Sequence, residues 1–136
     1  MGGISADTNA FSDLMREHPN VQARLAALSP TEELILCTIV RGEILHGLTR
    51  LPEGRRRQEL AGKAHLLFNA IPCAPIIESA AVDYAEIKLR RQQKGLTLDE
   101  NDLWIAATAR QSGATLVSRD TDFKNVDGLK VEDWTK

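Results

Sequence analysis

Cysteine, histidine and aromatic residues are all scarce in this chain: two Cys, three His, two Trp, one Tyr and three Phe among 136 residues. Cys37 and Cys73 stand in apolar stretches with no Cys-x-x-Cys spacing and no companion His pair. That excludes a zinc centre or a dithiol redox motif and leaves two buried, reduced thiols as the reading. So few aromatics argue against any partner recognised chiefly by stacking. There is no basic stretch followed by an apolar one at the N-terminus, and no apolar run approaches the roughly 20 residues that cross a bilayer, so a cytoplasmic protein is expected. The Met1-Gly2-Gly3 opening is not an acylation signal, because Ala6 stands where that motif requires Ser or Thr. Neither sign of charge dominates: 17 Lys and Arg face 19 Asp and Glu, which excludes a uniformly basic coat for nucleic acid.

With 43% hydrophobic and 26% charged residues and a mean hydropathy of -0.25, the chain has the composition of an ordinary globular domain. Its length suits one domain over residues 1–136, without linker, repeat or low-complexity tract. Gly3–Ala6 predicts a short strand, and Ser12–Leu28 one or two helices interrupted at His18-Pro19-Asn20. The apolar run Leu34–Ile39 has the length of a strand covered on both faces. Helices are expected over 40–51, 55–70, 78–94 and 99–111, with Ala81, Tyr84, Ala85 and Ile87 turned to the core in the third of these. A brief strand over 71–74, a buried one over 114–118 and an edge strand near Leu129–Val131 complete the pattern. Strands alternating with helices in this way predict an α/β/α three-layer sandwich with a mainly parallel central sheet, whose site lies at the carboxyl ends of the strands.

That rule filters the acids. Asp7 directly follows the first strand, Glu43 sits early in the helix after Leu34–Ile39, Asp102 opens the helix containing Leu103-Trp104-Ile105-Ala106-Ala107, and Asp120 lies two residues beyond the 114–118 strand. Asp122 is a weaker fifth candidate, and Asp99 competes with Asp102. Taken singly, the aspartates are ordinary turn and helix-cap residues. Together they pose an electrostatic problem, since two carboxylates about 4 Å apart repel by about 4 kcal/mol at an effective dielectric near 20. A divalent cation resolves it. Oxygen donors alone favour Mg²⁺ or Mn²⁺, which suits hydrolysis of phosphate esters by metal-activated water. His18, His46 and His65 are placed on separate helices away from that edge, so acid-base catalysis by a His pair is not indicated.

Four segments, in order and at fitting distances, resemble the PIN-domain ribonucleases, and most closely the VapC-type toxins of prokaryotic toxin-antitoxin pairs. They are Asp7-Thr8-Asn9, Val40-Arg41-Gly42-Glu43 with Gly47 after it, Asn101-Asp102-Leu103-Trp104-Ile105-Ala106-Ala107, and Leu116-Val117-Ser118-Arg119-Asp120-Thr121-Asp122-Phe123. The resemblance runs on to Gly128-Leu129 and Val131–Trp134. It implies an acidic pocket of Asp7, Glu43, Asp102 and Asp120, with Asp7 and Asp102 as the direct Mg²⁺ ligands and Thr8, Asn9 and Ser118 as hydrogen-bonding support. It further implies metal-dependent endonucleolytic cleavage of RNA, often transfer RNA, inhibition by a cognate antitoxin, and a homodimer closed by apolar surfaces of the middle helices. Two features depart from the pattern: Ala6 replaces a bulkier aliphatic residue, and Asp122 competes with Asp120 for the fourth pocket position.

An acidic pocket repels a polyanion, so positive charge must lie nearby. Two clusters qualify: Arg50, Arg55, Arg56, Arg57 and Lys63, and then Lys88, Arg90, Arg91 and Lys94, with Arg55, Arg56, Arg57, Arg90 and Arg91 the candidates for RNA contact. Solvated helix faces account for the same residues equally well. Two alternatives stand beside the nuclease: a phospho-acceptor receiver domain and a catalytically silent binding module of the same fold. The receiver expects adjacent acids after the first strand and a Lys after a late one, and Asp7-Thr8-Asn9 and Val117-Ser118-Arg119 offer neither. Nineteen acids less the four candidates leaves fifteen, against seventeen basic residues, so the near-neutral total joins an acidic pocket to a slightly basic body.

Overall fold

The computed structural model describes residues 3–136; Met1 and Gly2, in the opening read above as no acylation signal, lie outside the described residues. Within the described residues, five strands form one sheet, β1 (Ile4–Ala6), β2 (Leu34–Cys37), β3 (Cys73–Ala74), β4 (Thr115–Val117) and β5 (Val131–Glu132). Their order is β3-β2-β1-β4-β5 and every pairing is parallel. Six helices cover it as an α/β/α sandwich: α1 (Thr8–Met15), α2 (Pro19–Ala26), α3 (Thr38–Thr49), α4 (Arg55–Ala70), α5 (Ala80–Gln93) and α6 (Glu100–Ser112). A 3-10 turn follows β4 over Thr121–Asn125.

The strand order places the site. From β1 the chain steps outward through β2 to β3, then returns to the other side of β1 for β4 and β5. The carboxyl ends of β1 and β4 therefore flank the point where the winding reverses, the natural crevice of an open parallel sheet. Ala6 is in register with both Leu36 and Val117, so Asp7 and Ser118 emerge side by side. The Asp7 N–H still donates to the Val117 carbonyl at 3.0 Å, which extends the ladder by one bond and fixes the aspartate at the rim.

Beneath this rim the core is apolar. Phe11, Leu36, Val40, Ile105, Leu116 and Phe123 are fully enclosed, and Phe11 stacks on Phe68 with ring centroids 5.1 Å apart. Each large side chain so buried contributes about 1.5–3 kcal/mol. Helix α6 is buried almost all round through Leu103, Ile105, Ala106, Ala107 and Ala109, as its apolar run predicts. Gly113 ends it at φ +70, a left-handed turn that suits glycine and feeds β4 directly.

Four expectations need correction. Helix α1 starts at Thr8 rather than Ser12, because the Asp7 side chain caps it by accepting from the Ala10 N–H. The core face of α5 is Ala80, Ile87 and Arg91, while Ala81 and Ala85 are exposed, since this helix packs mainly on α6 and turns that phase inward. Cys73 is exposed, because β3 is a two-residue edge strand; Cys37 is buried as expected. Arg91, a candidate for RNA contact, is buried: its guanidinium donates to the Asp122 carbonyl and to the Thr97 carbonyl, both at 3.1 Å, so it is spent on tying two loops together.

Candidate active site

Asp7 is the best-anchored acid. One carboxylate oxygen accepts from the Ala10 N–H at 2.8 Å and the other from the Ser118 hydroxyl at 2.5 Å. Ser118 in turn accepts from the Asp120 N–H at 3.0 Å, so one buried hydroxyl links the ends of β1 and β4 to the loop carrying Asp120. Asp120 opens the 3-10 turn, accepting from the Asp122 N–H at 2.9 Å. On the opposite side, Glu43 of α3 accepts from the Thr8 hydroxyl and, at 3.3 Å, from the Asn101 side-chain amide. Asn101 precedes Asp102 in the first turn of α6, so two bonds lock α3, α1 and α6 at the same place.

The electrostatics show that these acids face one another. Burial, aided by Asp99, Glu43, Asp120 and Asp7, pushes the Asp102 carboxyl up to about 6. Asp7 is also raised, first by burial and then by Asp120, against the lowering effect of the Ser118 and Ala10 hydrogen bonds and of Arg119. None of the four acids forms an ion pair among the described residues. Arg119, the nearest relevant cation, is instead drawn to the buried Asp13 at 3.2 Å.

This crevice, its residue order and the parallel sheet agree with the profile described as PIN domain, which matches residues 4–129. The chain belongs to the PIN-domain family. It is 31% identical to the VapC ribonuclease Y4jK of Sinorhizobium fredii over 94% of each chain, and 32% identical to toxin FitB of Neisseria gonorrhoeae over 87% of this chain and 88% of that one. Among solved structures, FitAB bound to the IR36 DNA fragment superposes with a TM-score of 0.84 at 28% identity, over 98% of this chain and 96% of that one. The receiver-domain alternative falls with this match.

In this PIN domain the acids present an all-oxygen donor set of the kind that suits a hard divalent cation. Among the described residues, no three His, Cys, Asp or Glu side chains already close on one point as a finished cage. Mg²⁺ needs none: it keeps several waters and takes one or two carboxylates together with substrate oxygens. The raised Asp102 and Asp7 carboxyls are the observation that fits, because charges disfavoured in the free pocket are the ones a cation stabilises.

The supporting residues divide. Thr8 holds Glu43 and Ser118 holds Asp7, but Asn9 is exposed and makes no side-chain hydrogen bond among the described residues. Asp122 faces solvent and serves the loop through its main chain, whereas Asp120 acts on both Asp102 and Asp7. Arg55 and Arg90 pair with Glu59 and Asp127 at 3.5 and 3.6 Å, and Arg57 reaches the Leu51 carbonyl at 3.4 Å. Two expectations about position change. His46 does not lie apart from the strand ends: it lines the same cleft as Thr8 and Glu43. Asn101 has a part of its own in holding Glu43; the only signal for it in the chain was its place beside Asp102.

Proposed function

We propose that this protein is a divalent-metal-dependent endoribonuclease, using Mg²⁺ with Mn²⁺ as a substitute, that acts as the toxin of a toxin-antitoxin pair in the cytoplasm. The observation that carries the reading is the convergence of Asp7, Glu43, Asp99 and Asp120 on Asp102, with the resulting rise in its carboxyl pKa to about 6. When bound, the cation supplies an activated water and stabilises charge on the phosphate ester. The chain's own residues do the rest. Asp7 and Asp102 hold the cation. Asp120 completes the negative pocket from the far side, and Glu43, oriented by Thr8 and Asn101, accepts hydrogen bonds from water near the scissile group. Ser118 keeps Asp7 and Asp120 in a fixed relation.

RNA, with transfer RNA the first class to try, is the substrate. The partners are a cognate antitoxin protein and a second copy of the chain. The exposed apolar side chains on and beside α5, Ile77 at 46%, Val82 at 61% and Leu89 at 55%, support a homodimer through that face. Light scattering should report a dimer for the natural chain and a monomer for Leu89→Asp; a Leu89→Asp dimer rules out this face.

The nuclease reading is tested with purified, folded protein and a mixture of transfer RNAs. Discrete fragments are expected in Mg²⁺ or Mn²⁺ and none in EDTA. If folded protein cuts no RNA in either metal, the silent binding module is the correct reading.

A further inference from the structure

We propose that the cleft running along α3 from Glu43 to Arg50 seats the RNA backbone beside the scissile phosphate, with Arg50, helped by His46, as its phosphate contact. This rests on the ribonuclease reading and adds where the strand lies.

The cleft measures about 520 Å³ and begins at the acids: Thr8 and Asn101, which hold Glu43, line its inner end. Glu43, His46 and Arg50 follow at intervals of three and four residues, so they form one row on α3. Both His46 and Arg50 are exposed and line the cleft. Seven residues of helix carry Arg50 about 10 Å along the axis from Glu43, which suits a flanking phosphate rather than the reacting one.

Charge availability separates Arg50 from the other cations. Arg55, Lys88, Arg90 and Lys94 are paired with carboxylates and Arg91 is buried, whereas Arg50 meets no carboxylate among the described residues. Arg50 also lines a second hollow that shares Thr8 and Glu43, so its guanidinium sits where the cleft turns outward.

Gly42 supplies an independent mark. It lies inside α3, and a Cβ placed on it would meet nothing within 4 Å. Neither packing nor a left-handed backbone requires glycine there, and a helix-interior glycine lowers stability. Its effect is to leave the cleft wall bare between Glu43 and the α3 N-terminus.

The test measures affinity for a fluorescent single-stranded RNA in EDTA at several salt concentrations, with cleavage kinetics in Mg²⁺ alongside. Arg50→Gln should weaken binding about tenfold and lower the salt slope by about 0.7. It should raise KM by a similar factor and leave kcat within about twofold. His46→Gln should weaken binding about threefold. Gly42→Leu should raise the thermal midpoint, as a better helix former, while weakening RNA binding at least tenfold, an opposition that a purely structural role does not produce. Arg56→Gln, outside the cleft, serves as the control and should change affinity less than twofold.

Natural affinity and slope in Arg50→Gln, or equal losses in Arg50→Gln and Arg56→Gln, overturn the proposal. So does a loss confined to antitoxin binding. If the natural chain cleaves RNA while Arg50→Gln binds it normally, only the path along α3 is wrong. If the natural chain neither binds nor cleaves RNA, the ribonuclease reading itself fails and takes this one with it.

Discussion

Asp102→Asn is expected to lower RNA cleavage by about 10³-fold, about 4 kcal/mol of lost transition-state stabilisation, while making the metal-free protein more stable. The two effects have one cause. Asp102 lies in the first turn of α6, partly buried, with Asp99, Glu43, Asp120 and Asp7 all acting to disfavour its charge. Ionising it at neutral pH opposes folding by about 1–2 kcal/mol once its solvent contact is allowed for. The amide keeps the shape, removes the charge and so relieves that opposition, but it also removes an anionic ligand. Cleavage assays on RNA together with urea denaturation in EDTA check both halves. A variant that loses activity by unfolding would show lower stability, and a variant that keeps activity would remove Asp102 from the site. Asp120→Asn should behave alike to a smaller degree. Asp122→Asn should leave cleavage unchanged, because that side chain faces solvent.

The parts of the molecule that were legible in the chain are those where one local rule acts. The acids were found because a parallel sheet directs its sites to the carboxyl ends of its strands, and Asp7, Glu43, Asp102 and Asp120 each stand just beyond one or on the helix that leaves or enters that edge. Helix α4 keeps its expected bounds because Pro52-Glu53-Gly54 punctuates it. Features set by distant contacts were not legible. Arg91 reads as a solvated residue near a helix C-terminus, and its burial depends on the carbonyl of Asp122, 31 residues away. The phase of α5 follows α6, where Tyr84 stacks on Trp104 at 4.2 Å, and not from its own alternation of alanines and charges. His46 was within reach: three residues beyond Glu43 on one helix, it had to share that acid's face.

The last expected result concerns metal and pH together. Asp102 has a folded pKa of about 6 against an ordinary 3.8, so between these values the folded chain binds more protons than the unfolded one. Stability from this group is therefore present at low pH and is lost as pH rises through about 6 in the absence of metal. A divalent cation reverses the trend, because it competes with the proton for the same oxygens. At a concentration about 100 times its dissociation constant it adds about 2.7 kcal/mol, or about 10 °C in melting temperature for a domain of this size. The gap between melting temperatures with Mg²⁺ and with EDTA should be close to zero at pH 5 and reach about 10 °C by pH 7.5. Asp102→Asn should abolish most of the gap, and Asp122→Asn should preserve it. An equal gap at both pH values would mean that the cation binds away from Asp102. No gap at any pH in the natural chain would show that these acids, however closely they act on one another, do not form a metal site.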